Sequence, residues 1–300
     1  MSLLSIINSR LGIGIVLGIA KITSTKTGYK LANFAADFLC KHPHAKLIRA
    51  ARANQWVITG EKLSGQELDI QVEQTIRNTA YSIFEFYHYM HDYSAIKEKV
   101  VFTPKITKLL ETRAACGEGT IFIGPHLGNF DLGGRAIALQ GYKLFVLSYP
   151  QPNGGYAWQN KLRREIGMDI RPMSIENMRA AKTYLKEGGF VVTGMERPLD
   201  KTNYYPKFFG RPAPVPTSYV RMALQTHSAV VVLACLRNSQ GKYELSCSDP
   251  IYMAPYDDAQ DEIERNAEKV LAEGEKMIGQ NPSQWAMTYP VWPEALEEMP

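Results

Sequence analysis

The feature that most constrains the fold is an alternation, from about residue 99 onward, between short apolar runs and longer stretches with helical periodicity. The apolar runs occupy residues 120–124, 143–148, 189–193 and 229–235. A strand that is apolar on both faces must be covered on both faces, as strands are in parallel sheets with helical crossovers. The alternation therefore predicts an α/β fold with a largely parallel central sheet flanked by helices.

Helical periodicity fills the intervals between these runs and also the N-terminal third of the chain. The predicted helices cover about residues 28–56, 64–92, 129–140, 156–166, 174–187 and 216–227. A later strand is predicted over residues 243–247. A last helix is predicted to be capped by Asp257 or Asp258 and to end near Asn281 and Pro282.

The N-terminal segment combines an apolar run with an excess of positive charge. The first 60 residues carry eight basic side chains and a single acidic one. Residues 11–20 are apolar, but a membrane-spanning helix needs about 20 such residues, and here the lysines follow the run instead of preceding it as in a signal peptide. We interpret this segment as an interfacial helix on an anionic membrane surface. The alternative is a buried N-terminal helix of a soluble fold.

These two patterns divide the chain. We expect one structural domain, with residues 1–95 forming a helical layer that faces the membrane and residues 96–300 forming the α/β core. The four cysteines never form a CxxC pair, so neither a zinc knuckle nor a disulfide framework is expected. Glu85, His88 and His91 have helical metal-ligand spacing, but no further ligands cluster with them, and a helix surface is the favoured interpretation. No metal and no nucleic-acid partner is expected.

The segment IFIGPHLGNFD (residues 121–131) carries the chemistry. An apolar strand ends at Gly124 and Pro125, so His126 lies on the loop at the carboxyl edge of the sheet, where open α/β sheets place their ligands. Asn129 is predicted to cap the next helix, which puts Asp131 in its first turn. Because the chain can fold back between loop and helix, we expect Asp131 to meet the imidazole.

An alcohol becomes a competent nucleophile when a base takes its proton, and imidazole is suited to this role at neutral pH. A carboxylate on the other ring nitrogen fixes the tautomer and stabilises the imidazolium, which is the role predicted for Asp131. The chain contains no GxSxG nucleophile elbow. A His–Asp pair without its own nucleophile favours a base that activates the acceptor substrate directly.

The sequence around His126 resembles the HxxxxD motif of the lipid A lauroyl/myristoyl and phosphatidylinositol mannoside acyltransferases, within the lysophospholipid acyltransferase superfamily. Further blocks follow in the order of that family. They are NKLRREIG (160–167), LKEGGFVV (185–192), Glu196-Arg197, KFFGRP (207–212), and PSQW (282–285) with VWP (291–293). Two departures are the glutamate at 196, where many relatives carry aspartate, and the lack of an arginine around residues 149–151.

The resemblance implies a glycerolipid-acyltransferase-like fold and transfer of a fatty acyl chain to a hydroxyl of a membrane glycolipid or lysophospholipid. The donor would be acyl-CoA or acyl carrier protein, with no other cofactor. The protein would act at the cytoplasmic face of the inner membrane. Arg164, Glu196 and Arg197 are predicted to bind polar parts of the substrates, Arg164 through a bidentate contact with phosphate. The alternatives are an exposed helix arginine for Arg164 and a structural ion pair for Glu196.

Two further sets of residues are candidates for the site. Backbone N–H groups around Gly128, next to the predicted cap Asn129, would stabilise the oxyanion at the start of the helix. Phe208, Phe209 and Gly210 would line an acyl channel or belong to the core.

Because no serine or cysteine accompanies His126, we expect direct transfer without an acyl-enzyme; Cys116, the nearest cysteine in sequence, should lie at the opposite edge of the sheet. The alternatives are a lipid acyl hydrolase that uses the same pair and a non-catalytic lipid-binding membrane protein.

Overall fold

The computed structural model describes residues 10–150, 154–165 and 167–300. Its centre is a seven-stranded sheet. The strands of this sheet are β1 (Val100–Phe102), β2 (Thr120–Gly124), β3 (Leu144–Ser148), β4 (Asp169–Pro172), β5 (Phe190–Gly194), β8 (Ala229–Arg237) and β9 (Tyr243–Cys247). Their order is β1-β9-β8-β2-β5-β3-β4. Every pairing is parallel except that of β8 with β9, so the predicted α/β fold with a largely parallel sheet is confirmed.

Helices cover both faces of the sheet and form the N-terminal layer. They are α1 (Arg10–Ile22), α2 (Thr25–Cys40), α3 (Lys46–Ile58), α4 (Gly65–Tyr89), α5 (Tyr93–Lys99), α6 (Pro104–Cys116), α7 (Phe130–Leu139), α8 (Gly154–Glu165), α9 (Ile175–Lys186), α10 (Ser218–Thr226), α11 (Ala259–Gln280) and α12 (Ala295–Glu298). A 3₁₀ turn (Pro282–Gln284) and a small antiparallel hairpin of β6 (Lys207–Phe208) and β7 (Arg211–Pro212) complete the described elements.

Most of the predicted elements are present, and the differences have local causes. The helix predicted over residues 28–56 is two helices, because the chain turns at His42 and Pro43 and proline cannot continue an α-helical hydrogen-bond ladder. The strands β1 and β4 were not predicted, since they are only three and four residues long and β4 alternates charged and apolar residues. The helix predicted to reach residue 166 is described to Glu165.

The central strands are buried on both faces, as their composition requires. Ile121 and Ile123 of β2 point into a core cluster formed with α9, α10, α11 and the C-terminal tryptophans. Phe122, between them, points into a second cluster formed with α5, α6 and α7. Successive side chains of a strand alternate between faces, so a continuous apolar run supplies both cores at once.

Helix α4 joins the N-terminal layer to the sheet. It begins with a capping box in which Ser64 and Glu67 satisfy each other's backbone N–H groups. It packs on α1, α2, α3 and the 3₁₀ turn. Among the described helices, none has the length and apolarity needed to cross a bilayer. Residues 1–9 of the predicted interfacial segment lie outside the described residues.

Candidate active site

The register of the two central strands brings the site together. Gly124 at the end of β2 pairs with Gly194 at the end of β5. His126 and Glu196 each stand two residues beyond this pair, on the same edge of the sheet. Parallel neighbouring strands therefore deliver an imidazole and a carboxylate side by side, at the edge where α/β folds bind their ligands.

Glu196 holds the imidazole through the ring nitrogen Nδ1. Its Oε1 lies 2.9 Å from His126 Nδ1, and the backbone N–H of His126 and the indole N–H of Trp285 (3.2 Å) donate to the same oxygen. Glu196 is fully buried, whereas a third of the His126 side chain is exposed (33%). Since a carboxylate only accepts, Nδ1 carries the proton and Nε2 presents its lone pair. No described residue hydrogen-bonds to Nε2.

The electrostatics of this pair act in opposite directions on the histidine. Burial lowers the pKa of His126, while the charge of Glu196 and its hydrogen bond raise it; the balance lies above the ordinary value. Asp131 adds a smaller increase, and Arg197 a smaller decrease. The base is therefore stronger than free imidazole, because its protonated form is stabilised by a buried carboxylate.

Asp131 does not occupy the predicted position on the imidazole. It lies in the first turn of α7, as expected, but its Oδ2 accepts a hydrogen bond of 2.7 Å from Arg163 of α8. The described hydrogen bonds contain none between Asp131 and His126. Oε1 of Glu196 already occupies Nδ1, and the α7 turn directs Asp131 towards α8. Glu196, and not Asp131, therefore contacts the imidazole, and Asp131 remains close enough to influence the histidine through charge.

Asn129 and Gly128 shape the loop instead of facing a substrate. Asn129 is buried, caps α7 by accepting from the N–H of Leu132 (3.2 Å), and donates to the carbonyl of Ser82 (3.1 Å). Its predicted capping is confirmed, and both the nitrogen and the oxygen of its amide are hydrogen-bonded within the protein. The N–H of Gly128 donates to the carbonyl of Gln284, and that of Asn129 to the carbonyl of Cys235, both at 2.9 Å. These two N–H groups, which were predicted to stabilise the oxyanion, therefore already have partners within the protein.

A glycine is required at position 128 because two segments of the backbone approach each other closely there. Its φ is +62°, and a Cβ there would meet the carbonyl oxygen of Cys235 at 2.0 Å. The loop thus bridges to β8, which fixes the position of the backbone next to His126.

Of the two neighbouring arginines of α8, the one that faces the site is Arg163, and not the predicted Arg164. Arg164 is exposed and donates to the carbonyl of Ile170 (3.0 Å), away from the site. Arg163 is the one that reaches Asp131, and it also donates to Asn160 (3.0 Å). Adjacent helix residues point about 100° apart, so only one of the pair can face α7. The doublet was visible in the sequence; which member faces the site was not.

Arg197 follows Glu196 and reaches the rim of the site. Its guanidinium carbon lies 4.4 Å from the ring centroids of both Tyr149 and Tyr289. In the last predicted set, Phe208 to Gly210, the structure places Phe208 in the core. Its side chain is fully buried and stacks on Trp292 at a centroid distance of 5.5 Å.

Comparisons with known proteins identify the family of this chain. The sequence model described as bacterial lipid A biosynthesis acyltransferase matches residues 2–293, nearly the whole chain. The chain belongs to this family. It is also 23% identical over 193 residues to proteins named phosphatidylinositol mannoside acyltransferase from Mycobacterium tuberculosis, strains ATCC 25618 / H37Rv and CDC 1551 / Oshkosh. Each match covers 63% of this chain and 59% of the relative, so the chain spans about three-fifths of the length of these relatives.

Membership in the acyltransferase family directs attention to thiols, which can carry acyl groups. Cys116 ends α6 ahead of β2 and so lies at the edge opposite the site, as predicted. The cysteine nearest the His126 loop is Cys235, which was not predicted, because β8 approaches the loop only in the folded chain. Its side chain is buried against Gly133, and burial raises its pKa well above the ordinary value. A protonated, enclosed thiol is a poor nucleophile.

Glu85 and His88, two members of the set with metal-ligand spacing, make contacts within the fold. Glu85 is fully buried and accepts from the hydroxyls of Tyr29 and Tyr243 and from Lys99 Nζ (3.3 Å). His88 Nδ1 donates to the carbonyl of Ala20 (2.5 Å). Across the described residues, no group of three or more histidine, cysteine or carboxylate side chains could hold a metal ion.

Proposed function

We propose that this chain is an O-acyltransferase that moves a fatty acyl group from a thioester donor to a hydroxyl of a membrane lipid. The observation that carries the proposal is the imidazole of His126, held at Nδ1 by a buried carboxylate and open at Nε2. This is the arrangement that a general base needs for a hydroxyl substrate.

In the proposed reaction Nε2 of His126 takes the proton of the acceptor hydroxyl as its oxygen bonds to the thioester carbonyl carbon. Glu196 stabilises the imidazolium that forms. The C–S bond then breaks, the ester carbonyl re-forms, and the proton on Nε2 passes to the departing sulfur. The charge of Glu196 is most valuable in the intermediate, when the imidazole is positive.

Transfer is proposed to be direct, without an acyl-enzyme and without a metal or other cofactor. Support comes from the position of Cys116 at the far edge and from the burial of Cys235. Donor and acceptor must then be bound together. Initial-rate plots should give intersecting lines, and intact-protein mass spectrometry after incubation with donor alone should show no adduct. A burst of thiol release before acceptor is added would overturn direct transfer.

The donor is proposed to be acyl-CoA or acyl carrier protein. For the acceptor, the names of the family and of the Mycobacterium relatives favour a glycolipid over a lysophospholipid. We further propose that the chain acts as a peripheral protein at the cytoplasmic face of the inner membrane.

Exposed apolar residues on α1 and α2 support this attachment. On α1 they are Ile15, Ile19 and Ile22, and on α2 they are Leu31, Phe34 and Phe38, the two most exposed being Ile22 (84%) and Phe34 (71%). On each helix they recur every three or four residues, so each helix carries one exposed apolar stripe. Lys21, Lys26 and Lys30 are exposed beside them. An apolar stripe flanked by lysines fits an anionic lipid surface.

Vesicle sedimentation tests the attachment. The variant Phe34→Glu/Phe38→Glu should bind vesicles containing phosphatidylglycerol several-fold more weakly than the wild type, and added salt should weaken wild-type binding. Ile70→Glu, at an exposed position of α4, is the matched control and should leave binding unchanged. Equal sedimentation of the double variant and the wild type would contradict the proposed surface.

The activity is tested with radiolabelled acyl-CoA and acyl carrier protein, each supplied with glycolipid and lysophospholipid acceptors. Wild-type protein should form acylated lipid, and His126→Ala should not. Release of free fatty acid alone would make the chain a hydrolase, and lipid binding without turnover would make it a lipid-binding protein. Either result would overturn the proposed transfer.

A further inference from the structure

Arg197 differs from three other arginines that stack on aromatic rings in the partners of its N–H groups. Arg163, Arg171 and Arg211 each lie over an aromatic ring, and each also donates to a carboxylate. Arg197 lies between two rings at 4.4 Å, yet it has no hydrogen bond or ion pair with any described residue. Stacking uses the faces of the guanidinium and leaves its in-plane N–H donors available.

Both tyrosines that flank Arg197 belong to backbone segments held by secondary structure or by buried hydrogen bonds. Tyr149 directly follows β3. The backbone carbonyl of Tyr289 accepts a hydrogen bond of 2.8 Å from Asn54, which is itself buried and also binds the N–H of Val291 (2.9 Å). The two tyrosine side chains remain roughly two-fifths exposed, 38% and 43%, so the guanidinium is held at the rim of the site and not within the core.

The charge of Arg197 acts on His126. It lies next to Glu196 in the chain, and it lowers the pKa of His126. The other charged groups around the histidine are Glu196 and Asp131, and Asp131 is already paired with Arg163. Arg163 is therefore engaged with a carboxylate, whereas the N–H donors of Arg197 have no hydrogen-bond acceptor among the described residues.

We infer that Tyr149 and Tyr289 clamp Arg197 so that its free N–H edge binds a phosphate ester of the substrate beside His126. A planar guanidinium recognises phosphate oxygens bidentately, and fixing its plane beforehand reduces the entropy lost on binding. The phosphate belongs either to the lipid acceptor or to the pantetheine-bearing donor. The inference rests on the proposed function for its substrate, but the clamp itself is testable without turnover.

The direct test is calorimetric titration of the full-length protein with pyrophosphate as the probe. Wild-type protein should bind it, and Arg197→Gln should weaken binding at least about tenfold, the worth of a charge-assisted hydrogen bond. Tyr149→Leu and Tyr289→Leu should each weaken it roughly three- to tenfold, because a cation–π contact is worth about 0.5–1 kcal/mol at such exposure. Tyr149→Phe and Tyr289→Phe keep the rings and should bind like the wild type.

Arg171→Gln is the matched control. Arg171 also stacks on a ring, that of Phe145 at 4.6 Å, but Asp169 occupies its donors at 2.8 and 3.0 Å. Its replacement should not change pyrophosphate binding. Absence of binding by the wild type, full binding by Arg197→Gln, or equal losses in the phenylalanine and leucine variants would overturn the clamp while leaving the proposed acyl transfer intact.

Kinetics then identify which substrate supplies the phosphate. In the leucine variants the KM of the phosphate-bearing substrate should rise by about the same factor as the binding loss, with kcat within about twofold of the wild type. If the donor supplies the phosphate, the leucine variants should show no rise in KM with an acyl thioester of N-acetylcysteamine, which has no phosphate. If the acceptor supplies it, the penalty should vanish with a phosphate-free glycolipid. A penalty that persists with both substitutes would overturn phosphate recognition.

Discussion

Two buried glutamates, Glu85 and Glu196, show how the same residue type serves folding in one region and chemistry in another. Both are fully buried. Around Glu85, the hydroxyls of Tyr29 and Tyr243 and the ammonium of Lys99 satisfy both carboxylate oxygens. Around Glu196, three N–H donors converge on Oε1, and Oε2 has no partner among the described residues.

The histidines beside the two glutamates differ in the same way. His88 stacks on Phe84 at 5.1 Å and spends Nδ1 on a backbone carbonyl. His126 spends Nδ1 on Glu196 and keeps Nε2 for a substrate. A buried carboxylate whose oxygens are all hydrogen-bonded stabilises one arrangement of helices and strands. A buried carboxylate next to a histidine with a free ring nitrogen can instead stabilise that histidine when it becomes protonated. We therefore expect mutations in the first region to affect unfolding and mutations in the second to affect turnover.

The largest expected effect is the loss of the base. His126→Ala should reduce acyl transfer by about 10²–10⁴-fold, the usual worth of general base catalysis, with little change in the urea midpoint because the side chain is partly exposed. Initial rates and unfolding curves are measured on the same preparation. A variant that retains more than about a tenth of wild-type turnover would remove His126 from the mechanism.

The two glutamates are next compared directly by isosteric replacement. Glu196→Gln should reduce transfer by about 10²-fold or more, since a neutral amide cannot stabilise the imidazolium, while its oxygen still accepts from the N–H groups of His126 and Trp285. Unfolding should change by less than about 1 kcal/mol, because those hydrogen bonds survive.

Glu85→Gln should show the opposite profile. Lys99 loses its buried counter-charge, so the free energy of unfolding should fall by about 2–3 kcal/mol, with turnover per folded molecule within about twofold of the wild type. Urea denaturation gives the free energy of unfolding, and initial rates divided by the concentration of folded protein give the turnover. If Glu85→Gln stopped turnover without destabilising the fold, the division between the two regions would be wrong.

Asp131 should fall between these cases. Asp131→Asn keeps its volume and its place in α7 but loses the charge that pairs with Arg163, so we expect roughly a tenfold loss of transfer. The matched change Arg164→Gln, on the exposed side of α8, should leave transfer unchanged within about twofold. A loss for Asp131→Asn as large as that for Glu196→Gln would return the orienting role to Asp131.

The smallest effect concerns pH. The base acts when neutral, so kcat/KM should rise with pH through the pKa of His126, which Glu196 raises above its ordinary value. The rising limb should therefore lie above about pH 6.5. In Glu196→Gln the raising influence is lost while burial still lowers the pKa, so the limb should move to lower pH. A limb that stays in place would mean that another group controls the profile.

Sequence reasoning was most successful where the signal was local. The apolar runs at 120–124 and 189–193 specified two doubly buried strands, and Pro125 after the first located His126 at a strand end. The prediction that Asn129 caps the following helix, with Asp131 in its first turn, is confirmed. It was least successful where a contact joins distant segments: the bond between His126 and Glu196 spans 70 positions and depends on β2 pairing with β5.

The sequence by itself determined the α/β class, the membership of an acyltransferase family and the presence of a histidine at the carboxyl edge, because hydrophobic period, turn residues and ordered motifs are properties of short segments. Only the tertiary structure decided which carboxylate holds that histidine, which of Arg163 and Arg164 faces the site, and that Tyr149 and Tyr289 enclose Arg197. Strand order and register place residues far apart in sequence within 3 Å of each other, and no local pattern encodes that order.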